Sequence, residues 1–119
     1  MKALHTNLAP AAIGPYSQAI EVNGIIFASG QLPIDPATGE FAEGGIKGQT
    51  RQALNNASHI MEEAGTDLSH VVKTTVYLAD MSDFADMNEV YSTFFKEPYP
   101  ARSAVSVKAL PKGALVEVE

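Results

Sequence analysis

The sequence contains no cysteine and no tryptophan. A disulfide-stapled fold and a thiolate metal site are both excluded, so the core must hold without covalent cross-links. Basic residues are scarce: 8 Lys and Arg stand against 14 Asp and Glu, a net charge of −6. A chain of that sign repels a phosphate backbone at long range, which disfavours non-specific nucleic-acid binding. No stretch approaches the ~18 apolar residues of a membrane span, and Met1 to Ala12 has no continuous apolar core of a secretion signal. The expectation is a cytoplasmic protein with neither a membrane nor a nucleic acid as partner. Also missing are GxGxxG and GxxxxGK[ST] loops, a GxSxG elbow and HExxH. His5, His59 and His70 are scattered, and the simplest reading of them is three surface side chains with no shared metal or catalytic site.

What remains is a folding sequence. Its 45% apolar and 18% charged content is typical of globular chains, and 119 residues make one domain spanning 1–119. Ser17 to Val22 and Ile25 to Ser29, split by Asn23-Gly24, predict a hairpin with a type I′ turn. The prolines, Asp and closing Gly from Pro33 to Gly39 predict a surface loop. The period then changes, because Ile46, Thr50, Ala53, Leu54, Ala57, Ile60, Met61 and Ala64 follow helical spacing, with Gly65 placed as a cap.

Val71 to Ala79 predicts a central strand with Val72, Thr74, Val76 and Leu78 on one face. A second helix is expected over about Asp83 to Phe95, with Phe84, Met87, Tyr91 and Phe95 on its apolar stripe and Pro98 beyond its end. Two last strands follow, Arg102 to Lys108 and Leu115 to Glu119, joined through Leu110-Pro111-Lys112-Gly113. Two or three strands, a helix, a strand, a helix and two strands amount to an α+β domain, one mixed sheet with two helices on one face. Nothing in the chain is left to cover the other face, so an oligomer is expected.

Residues able to carry chemistry are few. Arg102 opens a strand behind Pro100-Ala101, and its rigid fork suits a carboxylate, although a surface ion pair explains it equally well. Glu117 alternates with Val116 and Val118, either as an inward base beside an arginine or as a solvated edge glutamate. Asn88 falls on the apolar stripe of the second helix, where a buried amide needs partners, in the core or on a ligand. Tyr16 follows Gly14-Pro15 and either closes a pocket or packs; Ser29-Gly30 ends a strand where a ligand or a turn can approach the backbone.

These positions fall in segments that closely resemble the Rid/YjgF family of reactive intermediate deaminases. They are Ala9-Pro-Ala-Ala-Ile-Gly-Pro-Tyr-Ser-Gln18, Ala28-Ser-Gly-Gln-Leu-Pro33, Asp35-Pro-Ala-Thr-Gly39, Val72-Lys-Thr-Thr75, Pro100-Ala-Arg-Ser103 and Leu110-Pro-Lys-Gly113. The resemblance covers nearly the whole chain. It implies a chorismate-mutase-like fold, a six-stranded sheet and a homotrimer with sites between subunits. The implied activity is hydrolysis of 2-imino acids to 2-keto acids and ammonia without metal or organic cofactor, such imines being products of pyridoxal-phosphate dehydratases. By motif position Arg102 resembles the clamp on the substrate carboxylate and Glu117 the acid that positions or activates water. Tyr16, Ser29, Gly30, Asn88 and Ala104 fall where the family lines its pocket.

There are two departures. Ala104 stands where many relatives carry a cysteine, which excludes any thiol role there, and the chain stops at Glu119 where the family's last strand runs on. Two other functions stay open at this stage: a non-catalytic module that binds small carboxylates, and a ribonuclease or translation inhibitor, an activity attributed to some members. The acidic balance argues against the last.

Overall fold

Asn23 and Gly24 adopt φ values of 51° and 77°, the pair of left-handed conformations a type I′ turn requires. In the computed structural model, which describes residues 1–119, this turn joins β2 (Ala19–Val22) to β3 (Ile25–Ala28). A short β1 (Lys2–Leu4) pairs antiparallel on the far side of β2, with Lys2 opposite Glu21. The rest of the chain runs α1 (Gly45–Glu63), β4 (Lys73–Leu78), α2 (Phe84–Tyr91), β5 (Ala101–Ser106) and β6 (Val116–Val118).

Helix α1 stops where expected. The amide of Gly65 donates to Glu62 O (2.9 Å) and that of Thr66 to Met61 O (3.0 Å), the paired bonds of a Schellman cap. Its buried face holds Ile46, Thr50, Ala53, Leu54, Ile60 and Met61. Ala57 and Ala64 are only half-buried, and Asn56 is fully buried instead. Helix α2 ends at Tyr91, four residues earlier than its apolar stripe predicts. The hydroxyls of Ser92 and Thr93 donate to Glu89 O and Val90 O, drawing carbonyls away from the helical ladder. Phe95 still reaches the core beside Tyr91, with ring centroids 4.6 Å apart.

Strand β4 buries Thr74, Val76 and Leu78 as its alternation predicts. Val72 does not join them: it precedes the strand and is 81% exposed, while the half-buried Val71 packs on the core. The expected six-stranded sheet is built as two three-stranded sheets. One is antiparallel, in the order β1-β2-β3; the other is mixed, β5-β4-β6, with β5 parallel and β6 antiparallel to β4. A single bridge connects them, Gln31 N to Val118 O (2.8 Å) and Val118 N to Gln31 O (3.1 Å). Backbone bonds between Thr75 and Glu119 in both directions carry the β6 pairing to the last residue.

One core cluster lies between the mixed sheet and the two helices, centred on Leu54, Val76, Leu78, Met87 and Val116. A second, of Leu4, Ala9, Ala19, Ile60 and Met61, seals the end of α1 against the antiparallel sheet. The opposite face of that sheet shows Ile25 and Phe27, 57% and 61% exposed. No helix is long and apolar enough to cross a membrane.

Asn56 ties α1 to the loop after β3. Its Nδ2 donates to Leu32 O (3.1 Å) and Ile34 O (2.9 Å), and its Oδ1 accepts from Gln52 Nε2 (2.9 Å). Replacing it with alanine leaves two half-buried carbonyls without their partner, so Asn56→Ala is expected to lose about 1–2 kcal/mol of stability in chemical denaturation. An unchanged midpoint would show that the loop does not depend on this clamp.

Candidate active site

The sequence that forms the first wall of the site breaks a strand rule. Ala28 and Gln31 both turn toward the core although they are three residues apart, where strict alternation would send one outward. The extra residue turns Gly30 to the opposite face, beside Glu117. A Cβ built on Gly30 would collide with Glu117 Oε1 and lie 3.0 Å from its Cδ. Glycine is thus required here by the close approach of a carboxylate to backbone.

Glu117 reaches that position from β6. Val116 and Val118 are buried, and the residue between them points the other way. Its carboxyl is held above the ordinary value of 4.5, chiefly by partial burial and further by the charge of Glu119. A carboxylate with a raised affinity for protons is the better base.

Around Glu117 opens a cleft of about 800 Å³ whose walls include Tyr16, Ser29, Gly30, Gln31 and Lys112. Tyr16 stands at the rim, 55% exposed, with its hydroxyl accepting from Ile13 N (3.3 Å). Ser29 donates its hydroxyl to Ser17 O (2.6 Å), which leaves only oxygen lone pairs for a ligand. Gln18, buried below, takes the amide of Thr6 on Oε1 (2.8 Å) and donates from Nε2 to Pro10 O (2.8 Å). It thereby fixes the segment that forms the far wall.

Arg102 is elsewhere. It pairs in register with Thr74, on the face covered by the helices, whereas Glu117 pairs with Tyr77 on the other face. Strand β4 lies between them. The Arg102 guanidinium donates from Nη1 to Asn88 Oδ1 (2.7 Å) and packs over the rings of Tyr91 (4.7 Å to the centroid) and Phe84 (5.4 Å). Tyr91 is itself fixed by a 2.8 Å hydrogen bond between its hydroxyl and Thr74 Oγ1. Asn88 thus holds the Arg102 side chain, and it is not among the residues that line the Glu117 cleft of a single copy. Ala104 follows on the same face of β5 and packs against the core.

The residues singled out in the sequence thus form two groups. Tyr16, Ser29, Gly30 and Glu117 share the cleft; Arg102, Asn88 and Ala104 share the strand edge next to α2. Sequence reasoning missed Gln18 and Asn56, the buried amides that brace the cleft walls, and Lys112 at its mouth. Each histidine has its own local partner: His5 with Asn7, His59 with Glu62 and His70 with Asp67 and Ser69.

Comparison with known proteins places the chain in a family. The family model described as Endoribonuclease L-PSP matches residues 6–119. The chain belongs to that family, the Rid proteins. A RutC family protein of Sinorhizobium fredii is 59% identical over 119 residues, covering 100% of this chain and 94% of that protein. The 2-iminobutanoate/2-iminopropanoate deaminase of Mus musculus is 51% identical over 118 residues, 99% of this chain and 87% of the mouse protein. Among solved structures, RidA of an Antarctic Psychrobacter superposes with a TM-score of 0.95 at 50% identity, covering 99% of this chain and 95% of that one. TdcF of E. coli with bound serine gives a TM-score of 0.93 at 39% identity, covering 99% and 94%. The fold is the Rid fold; the mouse and human relatives, 51% and 48% identical, are named 2-iminobutanoate/2-iminopropanoate deaminases, whereas solved relatives at 46% identity are described as putative endoribonucleases.

Proposed function

We propose that this Rid protein hydrolyses 2-imino acids to 2-keto acids and ammonia. The observation that carries the reading is Glu117, a carboxyl of raised proton affinity set over the bare backbone of Gly30 in an open cleft. The relatives named 2-iminobutanoate/2-iminopropanoate deaminase support it. In the reaction a water held by Glu117 adds to the imine carbon while the carboxylate takes its proton. The nitrogen receives that proton to give a neutral carbinolamine; Glu117 then takes the hydroxyl proton and passes it to the amine, so that the ketone forms as ammonia leaves. The water oxygen becomes the keto oxygen, and no redox step is involved.

Arg102 is the carboxylate clamp in this scheme. It keeps most of its five donors free after bonding Asn88, and it cannot reach Glu117 across β4 within one chain. We therefore place the working site between subunits, with Arg102 of one copy facing the cleft of the next, in the homotrimer that the family resemblance implies. The exposed Ile25 and Phe27 supply apolar surface for such contacts. The setting is a cytoplasmic protein working without cofactor beside dehydratases that release such imines.

The test couples a threonine or serine dehydratase to the purified protein and follows keto acid and ammonia. Faster release than the dehydratase alone is the expected result. A protein that binds 2-ketobutyrate but does not accelerate release is a carboxylate-binding module instead. The ribonuclease reading finds little support in a cleft with a single cation on a chain of charge −6.

A further inference from the structure

We infer that Lys112 draws the anionic substrate into the Glu117 cleft and holds its carboxylate during the encounter, ahead of the Arg102 clamp. The inference rests on the proposed hydrolysis and adds a specificity-determining residue to it.

The first support is the charge inventory of the cleft. Its walls carry one carboxylate, Glu117, and one cation, Lys112; the remaining lining residues are neutral. An imino acid bears a carboxylate, and it must approach a protein of net charge −6 and enter a site whose base is itself anionic. Both fields oppose it. Within one copy, only Lys112 can offset them at the point of arrival.

The second support is conformational. Lys112 sits in the turn Pro111–Gly113 with φ 57° and ψ 18°, the left-handed region. Side chains other than Asn and Asp seldom adopt it, and glycine fills it freely, as Gly113 does next to it at φ 75°. Turn stability alone would favour Gly or Asn at this position. A lysine kept in a costly backbone state at the mouth of a reactive cleft is the kind of local rule-breaking that function explains.

The third support is that nothing else occupies the ammonium. Lys112 makes none of the chain's ion pairs or side-chain hydrogen bonds; the lysines so engaged are Lys47 with Glu89 and Lys73 with Ser103. The turn is nonetheless fixed, by Gly113 N to Leu110 O (3.2 Å), Ala114 N to Pro111 O (3.1 Å) and Leu115 N to Gln49 Oε1 on α1 (2.9 Å). An unpaired cation on a braced turn is preorganised for an anionic ligand.

Two substitutions separate charge from backbone. Lys112→Asn removes the charge but keeps a residue suited to φ near 57°, and Lys112→Arg keeps the charge. Binding of 2-ketobutyrate, the product carboxylate, is titrated at low and high salt alongside steady-state turnover. Lys112→Asn is expected to raise both Kd and KM about fivefold at low salt, with the change falling on KM rather than kcat, as suits one solvent-facing charge pair. The gap closes at high salt, and Lys112→Arg stays near wild type. A purely structural role would show the reverse, with Asn tolerated and no dependence on salt. Equal Kd values for wild type and Lys112→Asn at low salt overturn the role of Lys112, whether or not turnover is seen. Failure of the wild type to release keto acid while it still binds 2-ketobutyrate in a Lys112-dependent way removes the hydrolysis and leaves the anion site. A wild type that binds no 2-ketobutyrate overturns both.

Discussion

Arg102→Ala is expected to lower kcat/KM for imine hydrolysis on the order of 10²- to 10³-fold, the consequence of removing one partner from a hydrogen-bonded charge pair at a partly buried site. The protein should remain folded. Arg102 is half-exposed on an edge strand, and what it contributes to the chain is one bond to Asn88 and packing over Tyr91 and Phe84. Those aromatic contacts are worth about 0.5–1 kcal/mol at such a site, too little to unfold a domain. Arg102→Lys should not rescue, because an ammonium offers a point charge where the site presents a planar fork already oriented by Asn88 and the Tyr91 ring. The loss should appear in KM as well as kcat, since the clamp holds the ground state and orients it for attack. Steady-state kinetics with circular dichroism on the same samples decides the matter. A variant that retains full turnover would show that another cation grips the carboxylate, and Lys112 would be the first candidate.

Much of this was legible before the structure, because each readable feature has a local cause. Asn-Gly favours a type I′ hairpin through its own two residues, and Gly65 ends α1 by a bond pattern spanning six residues. The alternation around Glu117 depends on its immediate neighbours. What could not be read depends on residues far apart in the chain. Asn56 looks like one more polar residue on α1 until the carbonyls of Leu32 and Ile34 arrive from more than twenty positions away. The early end of α2 follows from two hydroxyls that turn back on their own helix, where the apolar stripe alone predicts continuation. Val72 read as core because β-branched residues flank it, but the strand begins one residue later. One of the two sequence readings of Glu117 set it beside an arginine; within one chain its strand and that of Arg102 lie two apart and their registers put them on opposite faces. Only the pairing partners, Thr74 for one and Tyr77 for the other, reveal that, and no spacing in the sequence encodes it.

Glu117→Gln should cost on the order of 10²-fold or more in kcat, the range for loss of a positioned proton acceptor, with little change in KM. Glutamine keeps the same length against Gly30 and so preserves the shape of the cleft. The pH dependence carries the stronger test. Because burial and Glu119 raise the Glu117 carboxyl above 4.5, the acidic limb of kcat/KM in the wild type should fall above that ordinary value and should vanish in Glu117→Gln. The same shift fixes the sign of the stability effect. A carboxyl raised in the folded state favours folding when protonated, and that contribution is lost as pH rises through the folded value. At neutral pH the ionised Glu117 is a burden on the fold, so Glu117→Gln should melt at or above the wild-type temperature there. The difference should disappear below the ordinary carboxyl value, where both side chains are neutral. Loss of activity together with a gain in neutral-pH stability would mark Glu117 as a group retained for chemistry against its structural cost. A variant that is inactive and less stable at neutral pH would instead make Glu117 a structural carboxylate, and the water would need another base.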